Sequence, residues 1–183
     1  MSLVRVHNFS VSLDGFGTGE GQTLEEPFGH AGHRLHGWFF DTRAFRSMHC
    51  SAGGAFGVDD AMAAAWAEGI GAEIMGRNKF GPQRGPWEDH EWNGWWGDEP
   101  PFHTPVFVMT HHPHDAIPMD GGTTFHFVTE GFEAAYAAAR EAAGDQGVDI
   151  AGGASTVRQA LTAGVIDELT LDIAPVLLGS GER

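Results

Sequence analysis

The sequence predicts an α/β fold, a three-layer sandwich with a central, mostly parallel sheet. Two observations carry that prediction. Short β-branched or aromatic runs alternate with helical patterns through the second half of the chain, and each such alternation is a strand–helix–strand unit. Two of the runs, residues 72–76 (AEIMG) and 105–110 (PVFVMT), are apolar enough for interior strands covered on both faces.

The elements follow in order. Residues 3–13 (LVRVHNFSVSL) place Val4, Val6, Phe9, Val11 and Leu13 in an alternation with one break, as in a strand with one buried face. Residues 14–33 hold six glycines and no sustained period, which predicts a long loop of the kind that serves a site. Leu35, Trp38, Phe39, Phe45 and Met48 fall near helical spacing, so a helix is expected over 34–48. A second, Ala-rich helix is expected over 58–68, opened by Asp59 and Asp60. The segment 81–104 is too rich in Gly, Pro and Trp for a regular element and holds Trp87, Trp92, Trp95 and Trp96; it suits a lid over the ligand or a dimer contact. Beyond it come a strand at 123–129, a helix at 131–143, a strand at 148–151, a helix at 155–163 and a strand at 168–174. Residues 177–183 (LLGSGER) are loop-like where such a sheet would continue, so a single domain is expected whose C-terminal hairpin lies beyond them.

Composition narrows the function. The 183 residues, 42% hydrophobic and 19% charged, suit one globular domain. A formal charge of −15, from 25 acidic against 10 basic residues, argues against nucleic acid and anionic membrane as partners. An anionic ligand must therefore be met by local cations. The single cysteine, Cys50, has no partner for an intramolecular disulfide or a thiolate metal site. No segment approaches the ~20 apolar residues of a membrane helix, and the N-terminus lacks a signal-peptide core. A cytoplasmic protein is expected.

Three strand ends carry chemistry. In 148–161 (VDIAGGASTVRQAL) a strand runs into Gly152 and Gly153 and then into the small residues Ala154, Ser155 and Thr156 that open a helix. Glycine lets the backbone approach a ligand, and the unpaired amides of a helix N-terminus point at an anion with the positive end of the dipole. Thr156 and Gln159 are spaced as a capping box, and a tight turn with ordinary capping fits the same residues. In 72–80 (AEIMGRNKF) a buried strand ends at Gly76 and delivers Arg77 and Lys79, two cations at the carboxyl edge where open α/β sheets bind ligands. The strand ending at Met109 offers Thr110, His111 and His112 at that edge.

Taken with SLDG at 12–15, MGR at 75–77, VMT at 108–110, IAGGAS at 150–155 and the tail GVIDELTLDIAPVLLGSGER from Gly164, the chain resembles the dihydrofolate reductase-like superfamily. The tail is particularly similar to the C-terminal reductase domain of riboflavin biosynthesis. The resemblance implies NADPH as cofactor, with Arg77 and Thr110 at the adenosine 2′-phosphate. The amides of Gly152, Gly153, Ala154 and Ser155 would lie against the pyrophosphate, with Thr156 and Val157 close by; Gly76, Lys79 and His111 complete the cofactor set. It also implies a homodimer, and an oxidoreductase acting on a C–N or C=O bond of a small pterin-like or pyrimidine-like heterocycle. Reductases of 5-amino-6-(5-phosphoribosylamino)uracil and of dihydrofolate are the comparison.

The chain departs from its relatives in two places. His36 stands where dihydrofolate reductases carry the acid that holds the pteridine, with Asp41 one turn later; Phe16 follows SLDG where riboflavin-pathway reductases carry a basic residue. His36 and Asp41 are thus the candidate acids, and Asp14 is a candidate to orient substrate or water, or simply an Asp-Gly turn. Two other functions fit the sequence. One is a noncatalytic NADPH or metabolite sensor on the same fold. The other is a metal protein built on the 11 histidines, of which His30, His33 and His36 recur and His111, His112 and His114 cluster; no HExxH is present, and no metal is expected.

Overall fold

In the computed structural model, which describes residues 2–49 and 51–183, seven strands form one sheet in the order β4-β5-β3-β2-β6-β1-β7. They are β1 (Val4–Ser12), β2 (Ile70–Gly76), β3 (Pro105–Met109), β4 (Ile117–Pro118), β5 (Thr124–Val128), β6 (Gly147–Gly152) and β7 (Glu168–Ala174). β1, β6, β2, β3 and β5 pair in parallel, and the short edge strand β4 is antiparallel to β5. The class read from the sequence is the class observed. Cys50 lies outside the described residues.

The chain clusters into two compact units: one is the chain up to Val6 with Gly69–Leu169, the other His7–Glu68 with Thr170–Arg183. β1 and β7 each run from one into the other.

The first unit is built on β2 and β3, buried almost throughout, as their apolar runs, broken only by Glu73 in β2, require. Helix α5 (Phe132–Ala143) buries Phe132, Ala135, Ala139 and Ala143, one stripe at helical spacing whose small side chains let it sit close on β2 and β3. Helix α6 (Ala154–Ala163) follows β6 and buries Ala154, Thr156, Val157 and Ala160. A one-turn helix, α4 (Arg77–Phe80), leaves the end of β2 and drives Phe80 into the core edge-on against Trp87, Phe125 and Phe127. The irregular segment 81–104 packs on that same aromatic core. The Trp92 indole donates to Phe80 O at 3.1 Å, and Trp96 stacks on Phe125.

In the second unit, Phe16, Leu35, Ala174 and Leu178 make a small apolar cluster. The helix expected over 34–48 is instead three short pieces: a 3₁₀ turn at Gly32–Leu35, α1 (Gly37–Phe40) and α2 (Arg43–Met48). Thr42 makes the second break. Its hydroxyl donates to Phe39 O at 2.7 Å, ending α1, and accepts from Phe45 N at 3.1 Å, capping α2, a competition with the helix ladder at which threonine excels. Helix α3 (Val58–Ala64) stops four residues short of its expected end, ahead of Gly69 at positive φ.

The capping box expected at Thr156 and Gln159 is not formed. The N-cap is Gly153, Thr156 N donates to Gly153 O, and Gln159 Nε2 reaches Ser155 O at 3.2 Å, because extended backbone at Gly153 starts the helix earlier.

Phe80 has no solvent exposure and three aromatic neighbours, so Phe80→Ala is expected to cost about 3–5 kcal/mol by chemical denaturation. A loss below about 1 kcal/mol would mean that this aromatic cluster does not hold the unit together.

Candidate functional site

Parallel pairing aligns three strand ends in the first unit. Gly76 of β2 is in register with Met109 of β3, and Met75 with Gly152 of β6, so Arg77, Thr110 and the Gly152–Gly153 turn all leave the sheet from one edge. Gly152 has φ +107°, a conformation that side-chain-bearing residues rarely adopt, and the Gly152–Gly153 peptide is cis. Gly76 is a second close approach: a Cβ there would stand 2.9 Å from Thr156 Oγ1 of α6. Without a side chain there, Thr156 of α6 packs directly against the end of β2.

Arg77 is 9% exposed. Its guanidinium lies 3.7 Å from the centre of the Trp87 ring, and one Nη1–H donates to Gly85 O. Its Nε and Nη2 are buried and meet no hydrogen-bond partner. Burial, and then repulsion from Arg84, both disfavour the charge on Arg77. Two guanidiniums that repel, one with buried donors to spare, form an arrangement that an anion between them would stabilise.

Thr110 sits beside this group. Its hydroxyl accepts from His112 N at 3.1 Å, and Trp87 Nε1 donates to His112 O at 3.0 Å. The indole under Arg77 and the turn after β3 are thereby tied together. Thr110 is buried, His111 exposed. At the third strand end, Thr156 and Val157 amides both donate to Gly153 O, so the amides of Ala154 and Ser155 are those that precede the first helical bond.

Lys79 points elsewhere. Its Nζ donates to Ala151 O, just before the glycine turn, and the ammonium lies under the influence of Glu73 and Asp149. Burial, with Asp149 beside it, pushes Glu73 well above the usual carboxylate range; Lys79 and Arg5 pull the other way. Arg77 and Lys79 leave the same strand but serve different surroundings.

The candidate acids lie in the second unit. Asp14 Oδ1 accepts from Ser12 Oγ at 2.6 Å and Leu178 N at 3.1 Å, and its Oδ2 from Gly179 N at 2.8 Å. These donors, Ser12 first, lower its pKa to about 2. A carboxylate so held can orient neighbours and does not give up a proton at neutral pH. The His36 ring is half-buried against Phe28, at 4.5 Å, and Phe40, at 6.1 Å. Asp41 is exposed at the end of α1, where its backbone carbonyl accepts from Ala55 N. Among the described residues no three His, Cys, Asp or Glu side chains gather as a metal site, and no helix is long and apolar enough to cross a membrane.

The family model described as the RibD C-terminal domain matches residues 5–183. The chain belongs to that family. RibD C-terminal domains are reductase-type domains related to riboflavin biosynthesis. The fold is also that of a crystal structure from Shewanella sp. PV-4, of a protein provisionally named for riboflavin biosynthesis. That likeness has a TM-score of 0.55 at 19% identity and covers 100% of this chain and 82% of the other. No curated protein matches the chain.

Within this RibD C-terminal domain, three residues of the site escaped the sequence reading: Trp87 as the platform under Arg77, Arg84 as its neighbour, and Glu73 as the carboxylate facing Lys79. Arg84 had a legible signal, being a cation seven residues after Arg77 in a strongly acidic chain. Glu73, whose charge acts on Lys79, had one too, as a charge inside a strand otherwise read as buried on both faces.

A carboxyl-group NMR titration should place Asp14 near pH 2, against an ordinary value near 3.8. Since the folded pKa is the lower one, the contribution of Asp14 to stability is complete above the ordinary value and lost as pH falls through about 2. Asp14→Asn should speed amide exchange at Leu178 and Gly179. Unchanged exchange at both would show that the carboxylate does not hold this loop.

Proposed function

We propose that this domain is an NADPH-dependent reductase of a small pterin-like or pyrimidine-like heterocycle, acting on a C–N or C=O bond. The supporting observation is Arg77: a guanidinium nine-tenths buried on an indole, with Nε and Nη2 unpaired, at the strand end beside the glycine turn. The residues present fit the cofactor on two counts. The spare donors of Arg77 suit a phosphate monoester, and Gly152, at φ +107°, presents backbone without a side chain at the neighbouring strand end, which suits the approach of a ligand.

In this reading Arg77, with Arg84 and the hydroxyl of Thr110 nearby, holds the 2′-phosphate that distinguishes NADPH from NADH. The amides of Gly153, Ala154 and Ser155 take the pyrophosphate, Gly152 supplies the turn, and Thr156 and Val157 pack behind them. When bound, NADPH supplies the hydride. The protein contributes orientation, exclusion of water and one proton. His36 is the proposed proton source, because an imidazole exchanges protons near neutral pH while the carboxylate of Asp14 stays ionised. Asp41 is the second candidate. A homodimer and a cytoplasmic location belong to the same proposal.

Arg77→Ala should weaken NADPH by about tenfold or more, about 1.4 kcal/mol, and NADH by less than about twofold, as read by calorimetric titration. Equal losses for the two nucleotides would remove Arg77 from the 2′-phosphate. Arg84→Ala should give a smaller loss that shrinks as salt rises, because this side chain is exposed and screened. A screen of pterins and aminopyrimidines, following NADPH oxidation, tests turnover. On any substrate found, His36→Ala should lower kcat while leaving NADPH affinity in place; an unchanged kcat would discard His36 as the donor.

A further inference from the structure

Three adjacent strands of the first unit carry charge at one level. Arg5 of β1 is in register with Asp149 of β6, and Asp149 with Glu73 of β2, so three charged residues stand in a row across the sheet. Laterally paired residues project to the same face. Glu73 is 1% exposed and Asp149 3%, in strands whose other residues are almost all apolar. Buried charge in a parallel sheet is costly unless answered by opposite charge, and Lys79 enters from α4 to answer it.

The other contact of Lys79 falls at an irregularity. Pairing between β2 and β6 steps from Ile74↔Ile150 to Met75↔Gly152, so Ala151 is passed over by the ladder. A bulge of this kind turns a carbonyl away from its neighbouring strand and bends the backbone that follows. The carbonyl passed over is the one that Lys79 Nζ takes. The next residues are Gly152, Gly153 and the first turn of α6. Lys79 is the only lysine in the sequence.

We propose that Lys79 is a positioning residue for the dinucleotide pyrophosphate: reaching from α4 to the bulge in β6, its Nζ fixes the Ala151 carbonyl and so aims the Gly152–Gly153 turn and the α6 amides. This rests on the dinucleotide reading above. Lys79 acts through the turn and does not itself reach the ligand. Its partners are internal, and removing it frees the bulge to relax. Arg77, two residues earlier, governs a different phosphate, so the two roles separate by ligand.

Two fragments make the separation measurable. Adenosine 2′-monophosphate presents only the phosphate assigned to Arg77, and ADP presents only the pyrophosphate assigned to the turn. Lys79→Met keeps most of the stem and removes the cation. It should weaken ADP about tenfold and change adenosine 2′-monophosphate by less than about twofold in calorimetric titrations. Because that variant leaves two buried carboxylates against one arginine, the charge-balanced pair Glu73→Gln with Lys79→Met is the companion, and it should show the same split. Equal loss of both fragments would reduce Lys79 to a general stabiliser and overturn the inference. So would an ADP affinity unchanged by either variant, or one restored in the double variant, which would make charge balance rather than the Ala151 contact the cause. Wild-type protein that binds neither fragment overturns the dinucleotide reading together with this inference; wild-type protein that binds both leaves that reading standing whatever the variants do.

Discussion

The register of β2 against its two neighbours is the constraint from which the rest of the first unit follows. Parallel pairing with β3 on one side and β6 on the other brings three carboxyl ends to one edge, the edge at which open α/β sheets bind ligands. Each end then receives a different solution. β2 runs straight into a one-turn helix that carries a guanidinium, β3 into a turn organised by a hydroxyl, and β6 into a glycine pair and a helix N-terminus. A slip of one residue in either pairing would send Arg77 to the other face and detach it from Trp87.

Electrostatics explains why so few cations suffice. With a formal charge of −15, the surface at large repels a phosphorylated ligand, and the attraction has to be local and shielded. Arg77 meets this by stacking on an indole, which removes water from one side of the guanidinium while leaving its edge donors unspent. In the proposed reading, Trp87 is therefore part of the binding chemistry. The Trp-rich segment, read from sequence as a lid or a dimer contact, places Trp87, Trp92 and Trp96 against the core of its own unit.

Much of the fold was legible. The interior strands β2 and β3 betrayed themselves by short apolar runs, and α5 and α6 by their period and glycine boundaries. The helix over 34–48 was misjudged because Leu35, Trp38, Phe39, Phe45 and Met48 keep a helical spacing across Thr42, whose hydroxyl satisfies both helix ends and divides the run. Periodicity reports which residues face inward and is silent on hydrogen bonds made by one side chain. At the site, Arg77 and the glycine turn were readable from order along the chain. The separation of Lys79 from Arg77 was not, because it depends on a skipped residue in a strand pairing, and on carboxylates contributed by strands 76 residues apart in the sequence, at Glu73 and Asp149.

The three hydrogen bonds that gather at Asp14 bear on how the protein is made. Two of them join a turn at the exit of β1 to backbone amides 164 and 165 residues later. A ribosome delivers the first partner long before the second, so this latch closes only after Gly179 has been made. Contacts this distant in sequence are slow to find. The loop 14–33 must therefore spend the interval without its closing latch, and that interval is when a chaperone or a protease would meet it.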